Sequence, residues 1–275
     1  MLAHAERPKT EIGEGLKVEK MPAHWLLARL GKRVLRPGGR EATEWLLSQA
    51  RPGPTDDVIE FAPGLGITAR RILSHSPRSY VGIERDEGAA AVAKRAISAL
   101  GAPDARIVRG DAARVPLPDG CASFVIGEAM LSMQPQNKKE AIAREAARLL
   151  RSGGRYALHE MAVRPGTPVE ERERIQQELS AVIRVGVRIG TPEEWGEWLA
   201  GAGFAVREQT TVPMRLLEWD RLVSDEGLLG VARMAANAIR TPGALARLRK
   251  LRKTFRAHAE RLCAICLIAE RAADA

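Results

Sequence analysis

The chain has 275 residues, 45% of them hydrophobic, which suffices for a sizeable core and argues against wholesale disorder. Its formal net charge of +9 bears on partners rather than fold: nucleic acid, an anionic membrane surface or an anionic ligand all suit it, while only 4% aromatic residues counts against RNA bound by base stacking. No stretch approaches the roughly 20 apolar residues of a membrane span, the polar start Met1–Glu19 lacks the apolar core of a secretory signal, and three cysteines favour a reducing cytoplasm over a disulfide framework.

Residues 1–20 read as a polar lead-in. Residues 21–36 are expected to form a basic amphipathic helix, with Trp25, Leu26, Leu30 and Val34 at helical spacing and Arg29, Lys32, Arg33 and Arg36 between them. Pro37-Gly38-Gly39 ends it, and a short helix follows over Glu41–Ala50, closed by Pro52-Gly53-Pro54. Strands and helices then alternate. Strands are expected at Asp57–Phe61, Ser79–Ile83, Ala105–Arg109, Ser123–Gly127 and, after a Ser152-Gly153-Gly154 turn, Arg155–Glu160. Helices are expected at Ile67–Ser74, Glu87–Leu100 and Lys138–Leu150. Such alternation implies a parallel sheet covered by helices. Glu170–Val185 and Thr191–Ala202 read as further helices, the second opened by a Thr191/Glu194 capping box. Phe204–Val212 and Leu262–Ala269 read as strands, separated by about 50 residues of helical pattern. Four parts result: a lead-in and basic helical cap (1–52), an α/β core (53–212), a basic helical insertion (213–261) and a last core strand (262–275).

Four motifs carry chemistry. In Val58-Ile59-Glu60-Phe61-Ala62-Pro63-Gly64-Leu65-Gly66 a strand delivers an acid and a glycine turn opens a helix. The glycines let a ligand approach the backbone, and the helix start offers free N–H groups. Alone, this also suits the fingerprint of nicotinamide oxidoreductases. Glu84 then ends the second strand, where a carboxylate can accept both hydroxyl protons of a ribose; Arg85 adjoins it, and Asp86 suits the plainer role of helix cap. Asp111-Ala112 follows the third strand, where the acid can accept from an adenine amino group or merely form a turn. Leu150-Arg151-Ser152-Gly153-Gly154 joins a helix to a strand, with Gly153 or Gly154 expected at the helix C′ position.

In this order and spacing the motifs resemble the class I S-adenosylmethionine-dependent methyltransferases, nearest the small-molecule branch that includes ubiquinone/menaquinone-type enzymes. The resemblance covers about residues 55–212 and the last strand. It implies an α/β Rossmann-like sheet in the order 3-2-1-4-5-7-6, with an antiparallel terminal strand pair, and S-adenosylmethionine as cofactor. Glu60 falls on the acid of that family's glycine loop, and Gly64 and Gly66 on its second and third glycines. Ala62 replaces the first glycine, and Ser152 replaces a proline in the later turn. An acid at Glu60 suits a cationic methionyl amino group and repels a pyrophosphate, by on the order of 1–4 kcal/mol at about 4 Å.

The acceptor side is less defined. Glu128, after the fourth strand, is read either as a cofactor contact or as a solvated loop acid, and Met130 beside it as a substrate contact. The Ile126-Gly127-Glu128-Ala129 segment is not the N/D-P-P-Y/F signature of amide and nucleobase amino methyltransferases. His159 is a candidate general base, with a hydrogen-bonded structural histidine as the competing reading. His24 and Trp25 are candidate substrate contacts on a covering helix. Cys263 and Cys266 stand three apart on a strand and so point to opposite faces, which suits buried small residues rather than a metal pair. Arg240–Arg261 holds eight Lys/Arg and one Glu, with Leu245, Leu248, Phe255 and Leu262 as an apolar stripe and Leu251 beside it. It is read as a solvated face, as a cap favouring a lipophilic or anionic acceptor, as a peripheral contact with anionic lipid, or, least favoured, as an RNA surface. A methyltransferase-fold module that only binds lipid or RNA is the rival to an enzyme acting on a small molecule. Oligomeric state is left open, a homodimer included.

Overall fold

The computed structural model describes residues 12–272. The start of the polar lead-in and the last three residues lie outside that range. Seven strands form one sheet: β1 (Asp57–Phe61), β2 (Ser79–Glu84), β3 (Ala105–Arg109), β4 (Ala122–Glu128), β5 (Leu150–Val163), β6 (Phe204–Pro213) and β7 (Leu262–Arg271). Their order is β3-β2-β1-β4-β5-β7-β6, with β1 to β5 parallel and β7 antiparallel to both β5 and β6. Strands β1, β2 and β4 are buried almost throughout, as a sheet covered on both faces requires.

Helices α1 (Ala23–Arg29) and α2 (Gly39–Ala50) precede β1, and α3 (Ile67–Leu73), α4 (Glu87–Ser98) and α5 (Gln136–Leu149) connect the parallel strands. Next come α6 (Val169–Ile183) and α7 (Pro192–Gly201), the latter with both bonds of the expected Thr191/Glu194 capping box. The stretch before β7 is helical as expected, forming α8 (Trp219–Arg240) and α9 (Ala244–Ala257). One apolar cluster joins α1, α6, α8 and α9 with the ends of β5 and β7, around Leu26, Leu179, Met234 and Leu251. The amino-terminal segment and the insertion thus share one core.

Three local expectations need correction. The first helix stops at Arg29. Gly31, at φ 104°, sits where a Schellman motif places its left-handed residue: Lys32 N–H donates to Leu27 O and Gly31 N–H to Ala28 O. Val34 and Arg36 therefore lie on irregular chain, and Pro37-Gly38-Gly39 leads into α2 rather than ending α1. Secondly, α5 runs into β5 with no left-handed C′ residue, since its cap, Leu150, is extended. Gly153, at φ 70°, lies in an irregular stretch of β5 between the pairs Ala122–Leu150 and Phe124–Arg155. Thirdly, the expected stripe of the insertion loses Leu262, which opens β7 as its strand reading had it, and Leu251, not Leu245, is the deeply buried residue of α9. Cys263 and Cys266 do part to opposite faces, one packed in the cluster with Trp195, the other in the cluster with Leu46.

Candidate functional site

The carboxyl ends of the strands beside β1 open on a cavity of about 480 Å³. Sheet order reverses there, between β1 and β4, which is where open α/β sheets form crevices. Glu60 arrives on β1 and the chain turns at once. Ala62, Gly64 and Gly66 all have positive φ, at 53°, 54° and 71°. Gly66 starts α3, and a Cβ there would sit 3.0 Å from Ala96 Cβ, so the residue allows α3 and α4 to approach. At Gly64 a Cβ would meet nothing closer than 3.9 Å, leaving room for a ligand against bare backbone.

Three acids from successive strand ends line this cavity. Glu60 is 4% exposed and accepts a 2.6 Å bond from Tyr80 Oη. Burial pushes its carboxyl up to about 8, against the Tyr80 bond, with Glu128 and Glu84 adding to the rise. Glu84 accepts Gly64 N–H on one oxygen and Asp86 N–H on the other, each at 3.0 Å. Its carboxyl is likewise raised by burial. Asp86 caps α4, accepting from Ala89 N–H. Asp111 accepts Ala113 N–H at 2.9 Å and pairs with Lys138 of α5. Burial works against ionisation at Asp111, but the Lys138 ammonium and that N–H outweigh it and hold the carboxyl low.

Glu128, at the end of β4, is neither solvated nor free. Its side chain is 6% exposed and accepts from Arg36 Nη1 at 2.8 Å, Thr43 Oγ1 at 2.7 Å, His159 Nδ1 at 3.1 Å and the Thr68 hydroxyl. Burial opposes its charge, yet Arg36, His159 and Thr68 prevail and lower the carboxyl to about 2. His159 is fully buried. Its Nε2 accepts Gly38 N–H at 2.9 Å, so the ring proton sits on Nδ1 and is given to Glu128. The imidazole therefore holds the amino-terminal segment to the sheet and presents no free nitrogen to the cavity. Glu160 is consumed similarly, accepting the backbone N–H groups of Met130, Leu131 and Ser132.

The cavity gathers most of the residues picked out by sequence. Glu60, Ala62, Pro63, Gly64, Glu84, Arg85, Asp111, Ala112, Glu128 and Met130 all line it. His24 and Trp25 from α1 lie over it, their rings 4.4 Å apart and edge-on. Gly66 shapes the turn from behind, and His159 stays outside. Two residues with no motif around them also face it, Arg36 and Lys138. Arg36 is 9% exposed, and its Nε is buried with no partner among the described residues. A basic residue next to Pro-Gly-Gly was the one available hint to it, and nothing local marked Lys138. Against the main cavity lies a small apolar chamber of about 60 Å³, sharing His24, Leu35, Ala129 and Met133 with it and closed by Leu251 and Phe255 of α9. His24 Nδ1 is buried and also without a partner among the described residues, and burial lowers the ring to about 4, with Asp86 opposing. A larger, open cleft of about 870 Å³ between α6 and α7 contains no motif residue. Among the described residues no group of His, Cys, Asp and Glu is arranged to hold a metal, and no helix is long and apolar enough to cross a membrane.

Comparison with known proteins agrees with this geometry. A family model described as a methyltransferase domain matches residues 58–154, from the first strand to the Gly153-Gly154 pair. An uncharacterized protein of Haemophilus influenzae is 32% identical over 219 residues, which cover 79% of this chain and 85% of that one. Among solved structures, the MccD protein is similar with a TM-score of 0.68 at 16% identity, covering 86% of this chain and 98% of its own. The [4+2]-cyclase SpnF is similar at 0.67 and 19% identity, covering 85% and 82%. Geranyl diphosphate C-methyltransferase of Streptomyces coelicolor A3(2), solved with Mg2+, geranyl diphosphate and S-adenosyl-L-homocysteine, is similar at 0.59 and 15% identity, covering 84% and 78%. At these identities the structural likenesses concern the fold.

Proposed function

The chain belongs to the class I S-adenosylmethionine-dependent methyltransferases, and on that premise we propose that it methylates a small lipophilic acceptor admitted beside the glycine turn. One observation carries the reading: acids from three neighbouring strand ends line a single cavity around a left-handed turn that bares its backbone at Gly64. The donor bears two cationic centres, a sulfonium and an ammonium, which suit buried carboxyls. A nicotinamide dinucleotide would bring pyrophosphate against the same acids and is the poorer fit.

Glu84 keeps spare lone pairs on both oxygens after accepting one N–H on each, as a ribose diol requires. Asp111 and Ala112 suit the adenine, with Arg85 at the rim. Arg36 Nε, a buried donor still free, suits the methionyl carboxylate, and Glu60 the ammonium. When bound, S-adenosylmethionine supplies an electrophilic methyl group on sulfur. The protein's own work is to hold an acceptor atom in line with that carbon at about 3 Å and to keep water out. His24, Trp25, Met130 and the apolar chamber form the acceptor side. His24 is uncharged at neutral pH, and its open Nδ1 can take a hydrogen bond from an acceptor hydroxyl. The similar prenyl diphosphate enzyme acts on a lipophilic chain with an anionic end, and an acceptor of that kind suits a chain of net charge +9.

Calorimetry with S-adenosylhomocysteine tests the donor half. Binding is expected, with loss in Glu84→Ala; no binding by the wild-type protein overturns it. Methyl transfer from radiolabelled S-adenosylmethionine to a panel of phenols, quinols, prenyl diphosphates and hydrophilic amines tests the acceptor half. His24→Asn should lower turnover on the apolar acceptors and leave homocysteine-analogue binding intact. Transfer to the amines alone overturns the lipophilic reading.

A further inference from the structure

The insertion between β6 and β7 presents an apolar face that nothing among the described residues covers. A break in α8 creates it. Gly227 has φ 73° and ψ 164°, a conformation reserved for glycine, and it splits the helix. Before the break, Asp225 and Glu226 turn inward and hold Lys32, Arg33 and the Arg40 backbone. After it, Leu228 and Leu229 stand 67% and 85% exposed and Ile239 72% exposed. Leu228, Ala232, Ala235 and Ile239 follow the i, i+4, i+7, i+11 spacing of one helix face, and all four are exposed. Helical periodicity normally buries such a stripe; here it points to solvent.

Charge along this stretch of sequence has one sign. From Gly227 to Ala259 the sequence contains eight Lys/Arg and no Asp or Glu. Arg252 and Arg256 pair with Glu218, and Arg247 is tied to backbone carbonyls. Arg233, Arg240, Arg249, Lys250 and Lys253 are exposed and make no ion pair among the described residues. Arg233 and Arg240 flank the stripe on α8 itself, and the others lie on α9, which packs against α8.

We propose that this face docks on an anionic membrane surface, with Leu228, Leu229 and Ile239 entering the interface and the five free cations meeting lipid phosphates. Charge complementarity selects this occupant. A second copy joined about a two-fold axis on this stripe would bring the Arg233 and Arg240 of both copies together, like charge against like. Nucleic acid would use the cations but leave the aliphatic stripe in water. Docking does not depend on the methyl-transfer reading. If that reading also holds, α9 has lipid on one side and, through Leu251 and Phe255, the apolar chamber on the other, which suits an acceptor drawn from the bilayer.

Co-sedimentation of the full chain with vesicles tests the proposal, using phosphatidylcholine alone and phosphatidylcholine mixed with phosphatidylglycerol. Binding is expected to the mixed vesicles only and to weaken with salt. Lys250→Ala and Lys253→Ala should each weaken it about fivefold, equivalent to about 1 kcal/mol per cation. Leu228→Asp/Leu229→Asp should abolish it, while the circular dichroism spectrum and denaturant midpoint stay those of the wild type and certify the fold. No binding to mixed vesicles at low salt overturns the proposal, as does binding that the leucine variant leaves intact. A dimer in analytical ultracentrifugation that the leucine variant dissociates would assign the face to self-association instead. Salt-sensitive binding to poly(U) without vesicle binding would assign it to RNA.

Discussion

Glu60 couples ligand binding to protons. In the free protein its carboxyl titrates at about 8 because burial disfavours the charge, whereas an ordinary glutamate titrates at 4.5. A ligand ammonium beside it favours the ionised form and lowers the carboxyl, so binding expels a proton between that lowered value and about 8. Affinity for S-adenosylhomocysteine should therefore rise with pH, by at most about tenfold per unit, and level off above that value. Calorimetry in buffers of different ionisation heat should register the released proton, and Glu60→Gln should remove both effects. Ala62 offers a second test at this scale. It holds φ 53° where glycine is at ease, and a left-handed alanine costs roughly 1–2 kcal/mol. Ala62→Gly relieves that strain while giving up roughly 0.5–1 kcal/mol of chain entropy. The variant should be as stable as the parent or up to about 1 kcal/mol more stable in denaturant titration, where an ordinary helix Ala→Gly would be a loss. The cradle acids were legible because each sits at or just past the carboxyl end of a strand, within a few residues of its own turn. The pairing of Arg36 with Glu128 was not, because it spans 92 positions, and the tie between His159 and Gly38 spans 121. A histidine closing a strand looks catalytic until the residue occupying its Nε2 is known.

At the scale of elements, the alternation of strands and helices was readable because each apolar run matched the period of its element. Boundaries shifted where one residue overrode the pattern. Gly31 stopped α1 although apolar spacing continued through Val34, and the buried Val34 found its place on irregular chain instead. The Gly153 turn proved to be an irregularity inside β5, since β4 pairs on both sides of it. The break in α8 was invisible to periodicity, because Leu228 and Leu229 fit a helix whether buried or exposed. Its role can be isolated. A Cβ on Gly227 would meet no atom within 4 Å, so Gly227→Ala adds backbone strain and no clash. Strain of this kind costs of order 1–3 kcal/mol, and denaturant midpoints should fall accordingly. Because Asp225 and Glu226 lie immediately before the break, straightening the helix should also loosen their hold on Lys32 and Arg33. Proteolysis within residues 30–38 should then quicken, while a variant strained only at Gly227 would lose stability with that segment still protected.

For the whole molecule, the amino-terminal segment covers the cavity, and besides the bond from Gly38 to His159 two ion-paired points fasten it. One is the buried cluster of Lys32 with Asp225 and Glu226, and the other is Arg36 with Glu128 on the sheet. The second point gives folding stability a definite pH dependence. A carboxyl lowered from 4.5 to about 2 contributes its full stabilisation above the ordinary value and loses it as pH falls toward the lowered one. At about 1.4 kcal/mol per unit the gap is worth about 3 kcal/mol. Glu60 acts with the opposite sign, since its raised carboxyl costs stability as pH climbs from 4.5 toward about 8, and a cationic ligand returns that stability. Other carboxylates titrate over the same acid range, so the informative quantity is the difference between the wild type and Glu128→Gln. That variant keeps the shape but turns one accepting oxygen into an amide donor and leaves Arg36 without a counter-charge, a loss of about 3–5 kcal/mol for a buried pair. Denaturant midpoints measured at a series of pH values should show the largest difference above pH 4.5 and a steady convergence as pH approaches 2. A difference that stays constant over that range would mean that Glu128 contributes by packing and hydrogen bonds alone, and that the cover is not held by charge.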